Sequence, residues 1–299
     1  MAVRLGINPL TWTNDDLPSL GADTSLQTCL AEGKQAGFSG FELGQKFPRE
    51  PEALRNELSP HGLDLVSGWY SSLLLDRSVD QEIEAMQPHL KLLKAFDCNA
   101  MVFCEVSGCV HGDQALPVST RPILSDSQWA LLLERLNAIG DYLASENIDM
   151  AYHHHMGTVI QSEEDVDRLM QGTSASVGLL IDTGHMTYAG GDPLALAQRW
   201  LDRIRHVHCK DIRPDVLADA LNRNLSFLDA VLNGVFTVPG DGCVDYRTLF
   251  DKLVSVDYDG WLVVEAEQDP AIAHPLTYAT LGYNNLKKFC EDTGLTVKP

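Results

Sequence analysis

The chain contains ten histidines, and six of them fall between residues 153 and 208. They sit in short polar clusters, each closing an apolar run. Met150-Ala151-Tyr152-His153-His154-His155 is the first. Leu179-Leu180-Ile181-Asp182-Thr183-Gly184-His185 is the second, and His206-Val207-His208-Cys209-Lys210-Asp211 the third. A fourth run, Leu262-Val263-Val264-Glu265-Ala266-Glu267, ends in carboxylates. If these runs are strands, alternate residues share a side: His153 with His155, His206 with His208 and Lys210, and Glu265 with Glu267. Imidazoles and carboxylates gathered away from water need pairing or a metal. A mixed nitrogen and oxygen donor set suits a divalent first-row ion with open positions, with manganese or cobalt as the expected metal. Each cluster alone has an ordinary explanation, such as an exposed polar loop or one core and one surface histidine. Four of them closing four successive runs are harder to dismiss separately. Cys209, between His208 and Lys210, points away from both and is expected to pack.

The elements that must position these residues alternate. Apolar runs at 3–8, 40–43, 64–68, 100–104, 149–153, 177–181, 206–210 and 261–265 read as strands covered on both faces. Helical patterns lie between them. The segment 26–36 precedes Gly37, a helix stop, and 79–96 carries Ile83, Met86, Leu90, Leu93 and Phe96 at helical spacing. Ser125, Ser162, Asp192 and Asp245 each open a further helix as cap residues, and 272–291 closes the chain as a helix. Alternation of strand and helix predicts a parallel sheet with right-handed crossovers. Eight units fit an α/β fold of one closed (β/α)8 TIM barrel spanning residues 1–299 as a single domain. Long βα loops are expected at about 106–124 and 212–239, on the face where the clusters end.

The 299 residues include 42 acidic and 22 basic side chains, a net charge of −20. That charge argues against nucleic acid as a partner, because such proteins present a basic stripe, and against an anionic membrane surface. No apolar run approaches the roughly 20 residues of a membrane span, and no signal peptide is visible at the start. Seven cysteines without a CxxC pair suggest reduced thiols and a cytoplasmic location. The turn Pro239-Gly240-Asp241-Gly242 invites a phosphate-loop reading. It lacks the Lys-Ser/Thr of that motif and the full glycine pattern of a dinucleotide site, so no nucleotide cofactor is expected.

Several of these segments carry a resemblance. Asp182-Thr183-Gly184-His185, His206-Val207-His208, the turn at 239–242 followed by Asp245-Tyr246, and Gly260-Trp261 with Glu265 are similar to the xylose isomerase-like TIM-barrel superfamily. That group includes ketose 3-epimerases, hydroxypyruvate isomerases, dehydroshikimate dehydratases and endonuclease IV. The resemblance covers nearly the whole chain. It implies a divalent metal held from strands five to eight, here by His153, Asp182, His208 and Glu265. The family's usual glutamate on strand five is replaced: aligned on Gly157-Thr158, His153 takes its place, with His155 as the alternative. The Tyr152–Thr158 pattern, the opening Gly6-Ile7-Asn8-Pro9-Leu10-Thr11-Trp12 with Asn14-Asp15, and Glu42-Leu43-Gly44 resemble the inosose dehydratase subfamily.

That subfamily implies a hydro-lyase acting on a small polyhydroxylated cyclic ketone, 2-keto-myo-inositol, which loses water to give a trihydroxycyclohexane-1,2-dione. Such chemistry needs a base at the carbon next to the ketone, an acid for the leaving hydroxyl, and a metal to stabilise developing charge. His153, His155, Glu265 and Lys210 are the candidate catalytic residues. Asn8, Trp12, Glu42, Tyr70, Glu105 and His185 are candidates for binding the substrate, with Trp12 stacking on the ring. A ketose 3-epimerase or sugar isomerase on the same barrel is the alternative, and the missing strand-five carboxylate speaks against it. Association into homo-oligomers is expected.

Overall fold

The computed structural model describes residues 2–298. Eight parallel strands are arranged in chain order and close on themselves. They are β1 (Ala2–Ile7), β2 (Gly40–Leu43), β3 (Asp64–Ser72) and β4 (Ala100–Glu105). The circle continues with β5 (Asp149–His153), β6 (Val177–Asp182), β7 (Ile204–Cys209) and β8 (Trp261–Val264). Pairing of β8 with β1, from Arg4 opposite Trp261 to Ile7 opposite Val264, completes the barrel. Thr296–Val297 adds a short parallel pair at the start of β1.

Sequence-level caps explain where the helices begin. Ser78, Ser125 and Ser162 each accept from the backbone N–H three residues on, and Gln81, Gln128 and Asp165 reach back to complete capping boxes. Asp192 and Asp245 cap Pro193–Arg199 and Tyr246–Ser255. The apolar faces of these helices form the main core against the outside of the strands. Inside the barrel a small cluster, Ala100, Val102, Ala151 and Leu180 packed against Trp69, forms a floor below the clustered polar strand ends.

Two expectations need correction. Strand β3 continues to Ser72, well past the expected end at residue 68. The segment 212–239 is not a plain loop. It holds helices Pro214–Asn222 and Phe227–Leu232, and Asp211–Ile212 pairs antiparallel with Phe236–Thr237. Its own apolar residues, Phe227, Leu228, Val231 and Phe236, bury against Met156 and Tyr188. A segment with its own small core reads as irregular in sequence because its helices span only about two turns each.

The turn at 239–242 also finds its physical role. Asp211 lies inside it: Oδ1 accepts from the N–H groups of Ile212, Cys243 and Val244 at 2.9, 2.8 and 3.0 Å, and Oδ2 from Gly240 at 2.8 Å. The ring of amides that resembles an anion loop is therefore filled by the chain's own carboxylate. A Cβ on Gly242 would stand 2.3 Å from Asp211 Oδ1, which is why the turn needs glycine there. Asp211→Ala orphans four amides and is expected to cost about 3 kcal/mol in urea unfolding. A wild-type midpoint would disprove this anchoring role.

Candidate metal centre

The C-terminal ends of β5 to β8 deliver the polar clusters to one point. Parallel register puts Asp182 opposite His208 and His208 opposite Val263, so Glu265 follows directly beside them. His153 Nε2 lies 3.1 Å from His208 Nδ1 and 3.7 Å from Asp182 Oδ2. His208 Nδ1 is 3.5 Å from Asp182 Oδ2 and in contact with Glu265 Oε2. One donor atom from each of these four buried residues lies within 4.8 Å of all the others. Of the two strand-five alternatives, this geometry groups His153 with the set. His155 instead joins His185 and Glu267 in a second cluster.

The hydrogen bonds around the four residues fit a cation. His153 Nδ1 lies 2.7 Å from the His154 carbonyl and His208 Nε2 lies 3.1 Å from the Glu42 carboxylate, so both bonds require a proton on the outer nitrogen. Their inner nitrogens then face each other with lone pairs. Asp182 Oδ1 caps the N–H of His185 at 2.7 Å, whereas Oδ2, buried among these groups, has no hydrogen-bond partner among the described residues. Outward-facing N–H groups bonded to acceptors are the usual support of metal-ligating histidines. Burial pushes the His153 imidazole down to about 3, and the neighbouring His208 adds to this. Burial alone would lower His208 too, but Glu265 and Glu42 outweigh it and hold that ring well above its ordinary value, so a cation must displace a second proton from Nδ1 before that nitrogen offers its lone pair.

The second cluster already contains a cation. Lys210 Nζ is fully buried and donates to Glu265 Oε1 at 2.7 Å, Glu267 Oε1 at 2.6 Å and His185 Nε2 at 2.8 Å. Its backbone is clamped by Thr183, whose hydroxyl donates to the Lys210 carbonyl at 2.7 Å. Burial pushes the Glu267 carboxyl up to about 7, against the pull of Lys210 and with Glu265 adding to the rise. His154, the middle of the run, faces away from the site and accepts from the Asp182 N–H at 3.3 Å.

A cavity adjoins both clusters, lined by Asn8, Asp15, Asp16, Trp69, His155 and Glu267 together with Glu42, His208 and Glu265. Phe227, from the segment after β7, covers His155 and His185 at ring separations of 4.9 and 5.7 Å. Several expected substrate contacts lie elsewhere. Trp12 is in the core, because the chain turns at Pro9–Thr11 and folds the indole back onto Phe41, with Nε1 donating to Glu32. Tyr70 points outward to Glu82 and His89, since β3 still alternates there and turns Trp69 inward. Glu105 is tied by Ser72 Oγ at 2.7 Å, the Leu74 N–H at 2.6 Å and the Ser107 N–H at 3.1 Å, so it braces two loops. Glu42 reaches the site, but its carboxylate is bound by His206, His208 and Asn8. His185 lies under Phe227 and Phe236, off the cavity wall. Sequence reasoning assigned no role to Trp69 and Glu267. Strand alternation pointed to both, through Tyr70 as neighbour of one and Glu265 as partner of the other.

A parallel barrel with four convergent donors at its C-terminal end defines the class. The chain belongs to the xylose isomerase-like TIM-barrel family, whose model matches residues 30–289. Within it, the curated relatives are specific. The chain is 49% identical to the rhizopine catabolism protein MocC of Rhizobium meliloti, over 98% of this chain and 90% of that protein. It is 41% identical to the inosose dehydratase of Geobacillus thermodenitrificans (strain NG80-2), over 96% and 97% of the two chains. Among solved structures, the probable 3-DHS dehydratase AsbF from Bacillus anthracis shares the fold with a TM-score of 0.69 at 15% identity, over 95% of this chain and 99% of that one. The IolI protein with a binding zinc atom does so with a TM-score of 0.66 at 13% identity, over 97% and 98%.

Proposed function

We propose that this chain is a hydro-lyase that dehydrates 2-keto-myo-inositol to a trihydroxycyclohexane-1,2-dione, with a divalent cation held by His153, Asp182, His208 and Glu265. The observation that carries the metal reading is the Asp182 Oδ2 atom, buried beside inward-facing imidazole nitrogens and without a hydrogen-bond partner among the described residues. The substrate reading rests on relatives named inosose dehydratase at about 40% identity across nearly the full chain. When bound, the cation supplies Lewis-acid polarisation of the ketone oxygen, for which manganese or cobalt suits this donor set.

The chain's own residues do the rest. Trp69 offers an apolar wall to the ring, and Asn8, Asp15 and Asp16 offer polar atoms to its hydroxyls. His155 Nδ1 donates to the Met156 carbonyl at 2.8 Å, which leaves the Nε2 lone pair as the atom of that ring that can take up a proton. Glu267, titrating near 7 beside it, is suited to hold or release a proton at neutral pH. We assign the base at the acidic carbon and the acid at the leaving hydroxyl to this pair. All three Lys210 protons are spent on Glu265, Glu267 and His185, so Lys210 orients both glutamates and does not touch the substrate. No strand-five carboxylate stands where an epimerase would need its second base, because His153 occupies that position, and the epimerase alternative is not favoured.

The test is metal removal. Protein dialysed against a chelator is expected to lose inosose dehydration, read as absorbance of the conjugated enol product, and to regain it with Mn2+ or Co2+. Full activity after complete chelation would refute the metal role. Tight inosose binding by metal-loaded protein without turnover would turn the reading into a binding barrel.

A further inference from the structure

Glu42 has an arrangement that the reaction as described does not use. It lies near the end of β2, three strands round the barrel from β7, yet its buried carboxylate reaches the two histidines of that strand. Oε1 lies 2.8 Å from His206 Nε2 and 3.1 Å from His208 Nε2, and Oε2 accepts from Asn8 Nδ2 at 2.8 Å. Three donors from β1 and β7 therefore converge on one carboxylate. Imidazole carries one proton when neutral, so a hydrogen bond at Nε2 decides that Nδ1 bears the lone pair. In His208 that Nδ1 is the atom facing His153 Nε2 at 3.1 Å and Asp182 Oδ2 at 3.5 Å.

We propose that Glu42 is a positioning residue for the metal centre: with His206 and Asn8 it locks His208 as an Nδ1 ligand. The geometry makes the role specific. His206 fills a position along the carboxylate that would otherwise be open, and Asn8 holds the opposite oxygen, so Glu42 cannot rotate away from His208. A glutamine keeps the size, but its amide donor then faces either the Asn8 Nδ2 donor or, if the amide is turned over, the two imidazole N–H groups, so one set of donors always loses its acceptor. The inference rests on the metal reading above, and the experiment separates the two.

Zinc is the probe, because it is diamagnetic and needs no substrate. Zinc affinity of the full chain is measured by competition with a fluorescent chelator. Glu42→Gln is expected to weaken it by about 10–100-fold, the usual effect of removing a carboxylate that supports a ligating histidine. In parallel, zinc-loaded wild-type protein labelled with 15N-histidine is expected to show His208 with metal on Nδ1 and a proton on Nε2. The resonance is assigned by its absence from His208→Gln. Unchanged zinc affinity in Glu42→Gln, including the case where only the KM for inosose rises, overturns the positioning role and leaves the metal centre standing. Metal on Nε2 of His208 overturns it as well, and this reading holds even if the variant fails to fold. Wild-type protein that takes up no zinc overturns both.

Discussion

Asp182→Asn is expected to abolish metal binding and to cut inosose dehydration by on the order of 1,000-fold or more while leaving the fold intact. The substitution is chosen for the two different tasks of the Asp182 oxygens. Oδ1 caps the N–H of His185 at 2.7 Å, and the asparagine oxygen can keep that bond. Oδ2 has no hydrogen-bond partner among the described residues and faces the inner nitrogens of His153 and His208. In the variant an amide NH2 replaces it, which donates to those lone pairs instead of sharing a cation with them. Metal content by elemental analysis, activity and thermal midpoint are measured on the same preparation. A variant that keeps one equivalent of metal and wild-type turnover would remove Asp182 from the centre, and the proposed enzyme with it. A variant that unfolds would show instead that the charge serves stability.

The second large effect is expected at Lys210. Lys210→Met preserves length and removes the ammonium that neutralises Glu265 and Glu267 in a site closed to solvent. Leaving buried carboxylates without their partner costs about 3–5 kcal/mol. Activity is expected to fall with stability, because Glu265 and Glu267 lose the group that orients them. The double variant Lys210→Met/Glu267→Gln removes one of the stranded charges and is expected to recover part of the loss. Neighbours that share a network show coupling of about 0.5–3 kcal/mol. Urea unfolding of the four proteins measures that cycle. Strictly additive single effects, or a Lys210→Met protein as stable as wild type, would show that the ammonium is not paired as described.

The readability of the site follows from what a strand period can and cannot say. The four polar clusters were legible because each closes an apolar run, and a two-residue period assigns His153, His208 and Glu265 to one side of their strands. Eight alternating units were enough to bring those sides together in a closed barrel. Helix starts were legible too, since Ser125 and Ser162 satisfy backbone N–H groups by purely local bonds. The early strands offered weaker signals. Trp12, Tyr70 and Glu105 are large or charged residues near strand ends, and only the turn at Pro9–Thr11, the extension of β3 to Ser72 and the bonds from Ser72 and Leu74 remove them from the cavity.

By itself, then, the order of residue types determined the barrel, the end at which its polar clusters lie and the sides that alternate residues of each cluster share. These depend on periodicity and caps, which act over a few residues. Tertiary structure alone grouped His153 with Asp182, His208 and Glu265 and His155 with His185 and Glu267, placed Lys210 among Glu265, Glu267 and His185, and joined Glu42 to His208 across 166 positions of sequence. Those outcomes depend on which side chains meet after the barrel closes. That distance in space is set by register and strand count, and no local pattern encodes it.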